Sequence, residues 1–187
     1  MASGILSRRN ALASSNCCRA STRVAARFPA EISVLCALGW ACWKTYVGRP
    51  EADDVRRMAI SVVGNGLYLA KHHEDALSVM EAELSMMRRL GEIEHNLLAA
   101  QGNLANAYRS LGHLEKALRI ERDVYSERVR LDGEEHERTI LAASNYASSL
   151  VQLERFEEAK ILMRKTLPVA RRVLGESNET ALRMRWV

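Results

Sequence analysis

From Ala52 onward the apolar positions of the chain recur at steps of three and four residues, the spacing of a helix that buries one face. Leu104, Tyr108 and Leu111 set this pattern in one segment, and Leu114, Ala117, Leu118 and Val124 continue it in the next. No run alternates apolar and polar positions as a half-buried strand would. The sequence therefore predicts helices over 52–71 and 74–90, 94–111 and 114–131, and 135–153 and 156–173, joined by short turns.

The pattern is also periodic at longer range. Gly-Asn-Leu-Ala-Asn-Ala-Tyr at 102–108 returns 42 residues on as Ser-Asn-Tyr-Ala-Ser-Ser-Leu at 144–150, and Leu111, Leu114 and Ala117 map onto Leu153, Phe156 and Ala159. A period of this length is the mark of a solenoid, in which each unit buries its apolar face only against its neighbours. The fold class expected is all-α: a right-handed solenoid of antiparallel helix pairs, with about three full repeats and partial repeats at both ends.

Small residues fall where paired helices must approach closely. Gly64, Ala105 and Ala147 lie on the first (A) helix of each pair, and Ala76, Ala117 and Ala159 on the second (B) helix. Gly91, Gly133 and Gly175 follow the B helices, where glycine accepts the backbone turn that ends a helix. Acidic residues come next, Glu92 and Glu94, Glu134 and Glu135, and Glu176, favoured by the positive end of the following helix. Pro168 breaks the pattern inside the third B helix, so a kink or shortened turn is expected near 164–168.

The first quarter differs. Residues 1–30 are rich in Ser, Ala and Arg and hold no acid, and two readings fit them: an organellar transit segment or an unstructured tail. Location is accordingly cytoplasmic or organellar. Residues 31–51 contain the most apolar stretch, cut by Glu31 and Lys44 and too short for a membrane span, and read as the helix of a degenerate half-repeat. Residues 52–187 form the repeat domain, whose last repeat is incomplete because the sequence stops in the first turns of another A helix.

Composition narrows the function. The net charge of +4 arises in Arg8, Arg9, Arg19, Arg23 and Arg27, leaving 22 of the 27 basic residues against all 23 acids. A near-neutral body offers no basic stripe for nucleic acid. Cys17, Cys18, Cys36 and Cys42 lack the spacing of a metal site, and the repeats contain no cysteine.

The small-residue positions, the Asn-Leu-Ala at 103–105, the Asn-Tyr-Ala at 145–147, the Leu-Asp-Gly-Glu-Glu-His-Glu at 131–137 and the Leu-Gly-Glu-Ser-Asn-Glu at 174–179 together resemble the tetratricopeptide repeat in its 42-residue form. This form is similar to the repeats of kinesin light chains and kinesin-light-chain-like proteins, and the resemblance covers about residues 52–182. It does not extend to the kinesin-binding coiled coil, since Gly39, Gly48 and Pro50 interrupt any heptad pattern.

The resemblance implies that the A helices line a concave groove that binds an extended peptide or a partner helix. It places Asn103 and Asn145 at one groove position, Asn65 and Asn106 at a second, with Ser148, and Arg109 and Gln152 one turn further along. An amide can meet a peptide backbone as donor and acceptor, while the alternative for the same asparagines is to bond the adjacent helix. Arg109 is suited either to an acidic ligand or to a solvated rim. The partner expected is thus a protein or peptide; the rival reading is a structural piece that stacks on further repeats or self-associates through the open terminal repeat.

No catalytic or cofactor-binding constellation is apparent. His72-His73-Glu74-Asp75 occupies a turn on which consecutive side chains diverge, and His136-Glu137 lacks the second histidine of a zinc-hydrolase helix. No metal, cofactor or enzymatic activity is expected.

Overall fold

The computed structural model describes residues 34–185, and the expectations placed on residues 1–30, including Cys17 and Cys18, lie outside them. Among the described residues there are eight helices: α1 Val34–Tyr46, α2 Asp54–Leu69, α3 His73–Arg89, α4 Glu94–Ser110, α5 Leu114–Asp132, α6 Glu137–Gln152, α7 Phe156–Leu174 and α8 Glu179–Arg185. No described residue is in a strand. The repeat helices start and stop within about two residues of the boundaries their periodicity predicts. None of them is long and apolar enough to cross a membrane.

The chain forms two compact units, one reaching to Glu92 and the other beginning at Ile93. In the first, α1 packs on α2 and α2 on α3. Trp40 and Trp43 of α1 join Ala59, Ile60, Val63 and Leu67 of α2 and Ala76, Val79 and Met86 of α3 in one core. Gly39 permits the approach of α1: a Cβ there would stand 3.0 Å from the Val63 backbone nitrogen. Asp53 begins α2 by accepting a hydrogen bond from the Arg56 amide at 3.0 Å.

In the second unit α4 pairs with α5, α6 with α7, α5 also meets α6, and α8 lies against α6 and α7. Its buried side chains include Ile140, Ala143, Ala147, Met163, Ala170, Ala181 and Met184. Each large apolar side chain so buried, such as Ile140 or Leu150, contributes about 1.5–3 kcal/mol relative to exposure. Ala105, Ala117, Ala147 and Ala159 are all fully buried, at the close-approach places their small size predicts.

The turns between A and B helices share one backbone solution. Lys71, Gly112 and Glu154 take positive φ, while the next amide reaches back five residues: His72 N to Leu67 O, His113 N to Tyr108 O, and Arg155 N to Leu150 O, at 2.8–2.9 Å. This arrangement satisfies end-of-helix carbonyls but needs a left-handed residue, which glycine supplies without strain at one of the three turns. At the ends of α5 and α7, Gly133 and Gly175 combine φ of 83° and 88° with extended ψ, a conformation essentially confined to glycine.

Of the kink or shortened turn expected near Pro168, the structure corrects the second. Helix α7 is not shortened: it continues from Phe156 to Leu174 through the proline. The proline itself is exposed, and Met163, Thr166 and Ala170 are buried on either side of it, so tertiary packing holds the helix across the missing hydrogen bond.

Each repeat is closed by a charged pair between the end of its B helix and the start of its A helix: Arg89 with Glu51, Arg130 with Glu94, and Arg172 with Glu135. The pairs are largely exposed and are worth at most about 1 kcal/mol each. A buried linkage supplements them in the second unit, where the Arg128 guanidinium donates to Asp132 at 3.0 Å and to the His95 carbonyl at 2.9 Å.

Candidate peptide-binding face

The A helices of the second unit, α4 and α6, carry six of the seven residues singled out from the sequence. Steps of three and four place Asn103, Asn106 and Arg109 along one face of α4, and Asn145, Ser148 and Gln152 along the corresponding face of α6. Asn103 and Gln152 are exposed. Asn106, Arg109, Asn145 and Ser148 are half-buried. Asn65, the seventh, is half-buried on α2 in the first unit.

Arg109 joins two of these residues, Asn106 and Asn145, to a buried carboxylate. Its Nη1 donates to Glu121 Oε1 at 3.1 Å and to the Asn145 carbonyl at 3.3 Å, while its Nη2 donates to Asn106 Oδ1 at 2.7 Å. Glu121 lies on α5 and is 3% exposed. From α8, Arg183 Nε donates to Ser144 Oγ and its Nη2 to Asn145 Oδ1, both at 3.0 Å. One polar chain thus ties α4, α5, α6 and α8 together. Ser148 turns its hydroxyl inward, donating to the Ser144 carbonyl of its own helix at 2.8 Å.

The electrostatics follow from burial. Removal from water pushes the Glu121 carboxyl above its ordinary range, opposed by the Ser149 hydroxyl and the charges of Arg109 and Arg183. Arg183 is shifted down, first by burial and then by the like charge of Arg109, against the pull of Glu179 and Glu121. Glu121 bonds Arg109 directly and feels Arg183 only through its charge.

Glu121 and Arg183 are the members that the sequence reading missed. Glu121 did leave a signal: the equivalent places on the other B helices hold buried Met80 and Met163, so a glutamate there is out of character. Its partners are not visible in the pattern, because they arrive from other helices. In the first unit a second buried carboxylate, Glu83, bonds to Ser61, and burial pushes its carboxyl up while that hydrogen bond opposes the shift.

The histidines take local roles. His136 caps α6, its Nδ1 accepting from the Arg138 amide at 3.1 Å, and the His73 ring lies 5.2 Å from that of Tyr68.

A sequence model of the tetratricopeptide repeat matches residues 97–138 and 139–179, two units starting 42 residues apart. Among solved structures the chain is similar to BtubC (BKLC) from P. vanneervenii, at TM-score 0.65 and 19% identity over 81% of this chain, of which it spans 63%. It is also similar to the nearly identical TPR-like repeats described for a kinesin light chain of Podosopora anserina, at TM-score 0.60 and 14% identity, covering 90% of this chain and 93% of that one. No curated protein matches the chain. Repeats of this fold typically mediate protein–protein interaction and are generally non-catalytic. Residues 97–179 thus carry two tetratricopeptide repeats in the 42-residue form, and the chain as a whole has the all-α repeat-solenoid fold of these structures.

Proposed function

We propose that the chain is a non-catalytic interaction module whose A-helix face on α4 and α6 takes an extended peptide in a concave groove. The observation that carries this reading is the pair of exposed amides, Asn103 and Gln152, set beside half-buried Asn106, Asn145 and Ser148 on the A helices of two matched repeats. Such a row of polar groups meets main chain, which every peptide carries, and leaves side-chain selection to the neighbouring surface. Asn65 offers an equivalent amide in the first unit.

The internal bonds of Asn106 and Asn145 support a second reading, in which these two asparagines fasten one repeat to the next. A peptide selected from a displayed random library on the full chain separates the two. Under the binding reading, Asn103→Ala with Gln152→Ala weakens that peptide about tenfold while helicity and melting temperature stay put, because each hydrogen bond contributes about 0.5–1.5 kcal/mol. Unchanged affinity would leave the face without a ligand and favour the fastener reading.

A further inference from the structure

We infer that Arg109 and Arg183 are positioning residues that fix the hydrogen-bond polarity of this face, so that Asn106 and Asn145 present only donors and the ligand has to bring free backbone carbonyls. The inference rests on the peptide-binding reading above and deepens it.

An asparagine amide is ordinarily ambiguous, since its oxygen and nitrogen are nearly alike in shape and either end can face a partner. A guanidinium removes the ambiguity. It carries five N–H donors and no acceptor, so the amide atom that faces it has to be oxygen. Arg109 Nη2 stands 2.7 Å from the Asn106 amide oxygen, and Arg183 Nη2 stands 3.0 Å from that of Asn145. A half-turn of either amide would set an NH2 group against a cation.

Both guanidiniums are themselves held. Arg109 is pinned by the carboxylate of Glu121 and by the Asn145 carbonyl, and Arg183 by the Ser144 hydroxyl. The buried glutamate therefore acts on the face at one remove: it holds the arginine that orients Asn106. The amide nitrogens of Asn106 and Asn145 have no protein partner among the described residues, and both side chains are half-buried rather than enclosed. What the face offers at these two places is an N–H pair each.

The consequence is a choice between kinds of ligand. In an α-helix the carbonyls are already bonded to amides one turn on, except in the last turn, so the backbone of a helix lying along this face brings no free carbonyl to either asparagine. An extended segment has its carbonyls free. The occupant that fits is an extended peptide, with a carbonyl set opposite each locked amide.

The test uses the full chain and the synthetic form of a peptide selected from a displayed random library. Asn106→Asp with Asn145→Asp keeps the shape and the oxygen that each arginine grips but replaces the donor with a second acceptor. Affinity is expected to fall about tenfold or more, with the melting temperature unchanged or higher because each new carboxylate pairs with its arginine. Arg183→Met, which frees the Asn145 amide to turn, should weaken binding several-fold, whereas Arg183→Lys, which restores a donor, should recover it. The Asn145 side-chain amide signals in NMR should move with Arg183→Met toward those of exposed Asn103. Full affinity in the double aspartate variant, alongside weakened binding by Asn103→Ala with Gln152→Ala, would overturn the donor polarity and leave the groove standing. Full affinity in both sets of variants would overturn the groove and the polarity with it.

Discussion

On α2 of the first unit, Met58 and Leu69 are 67% and 64% exposed, and half-buried Val62 lies between them. The places in register on α4 are Ala99, Asn103 and Ser110, and on α6 they are Leu141, Asn145 and Gln152. Asn65 aside, this stripe of the A helix is apolar in the first unit, whereas in the second it carries amides beside Ala99 and Leu141. Repeat register determines where the face lies. It does not determine what the face recognises, because exposed positions carry no packing constraint and are free to diverge.

The sharpest way to break this contrast is to remove its anchor. Arg109→Met leaves Glu121 buried without its nearest cation, and the second unit should lose about 3 kcal/mol, read as faster amide exchange in α4–α6 by mass spectrometry. The first unit, which lacks the network, should keep its protection. Pairing the change with Glu121→Met, the residue type at the equivalent places of the other repeats, should return most of the loss.

Packing, unlike face chemistry, is common to both units. Ala76→Leu in α3 and Ala117→Leu in α5 should each cost about 2 kcal/mol by urea unfolding, since both alanines are fully buried between close helices. A melting temperature unchanged by Ala117→Leu would contradict the helix-pairing register.

These alanines were legible in the sequence because they obey a period that any repeat of this length imposes. So were the helices, their ends and the fold class, all of which depend on local spacing. The Arg109–Glu121–Asn145–Arg183 chain was not, since its members come from four helices and only the misfit of Glu121 among methionines hints at it. Of the kink or shortened turn expected at Pro168, the shortening does not occur, for a related reason: a local rule lost to tertiary burial on both sides. The positive φ of Lys71 and Glu154 escaped notice because only Gly112, at the third equivalent turn, advertises it.

Acidity should act on the first unit through Glu83. Its carboxyl is raised in the fold, so the stability tied to its protonated form is full below the ordinary value of 4.5 and is lost as pH rises through the folded value. Glu83→Gln should flatten that decline in a pH series of melting temperatures and leave the variant more stable than the parent at neutral pH. A steeper decline in the variant would show that the Ser61 bond outweighs the cost of burial.

The smallest effect concerns the turns. Glu154→Gly and Lys71→Gly relieve a left-handed side-chain residue, and each should raise stability by no more than about 1 kcal/mol. Gly112→Ala, at the same turn, should do the opposite.

The most direct measurement is calorimetric titration of the library-selected peptide against a chain in which Asn103→Val and Asn145→Val give the second unit the residue that Val62 places in the first. The account predicts that affinity drops by about tenfold or more, while far-ultraviolet circular dichroism shows helicity intact, because two main-chain hydrogen bonds to the ligand are lost and the apolar packing of the helices outlasts the loss of the Asn145 bond to Arg183. Affinity equal to that of the parent, with an earlier melt, would contradict it and identify Asn145 as a fastener between repeats.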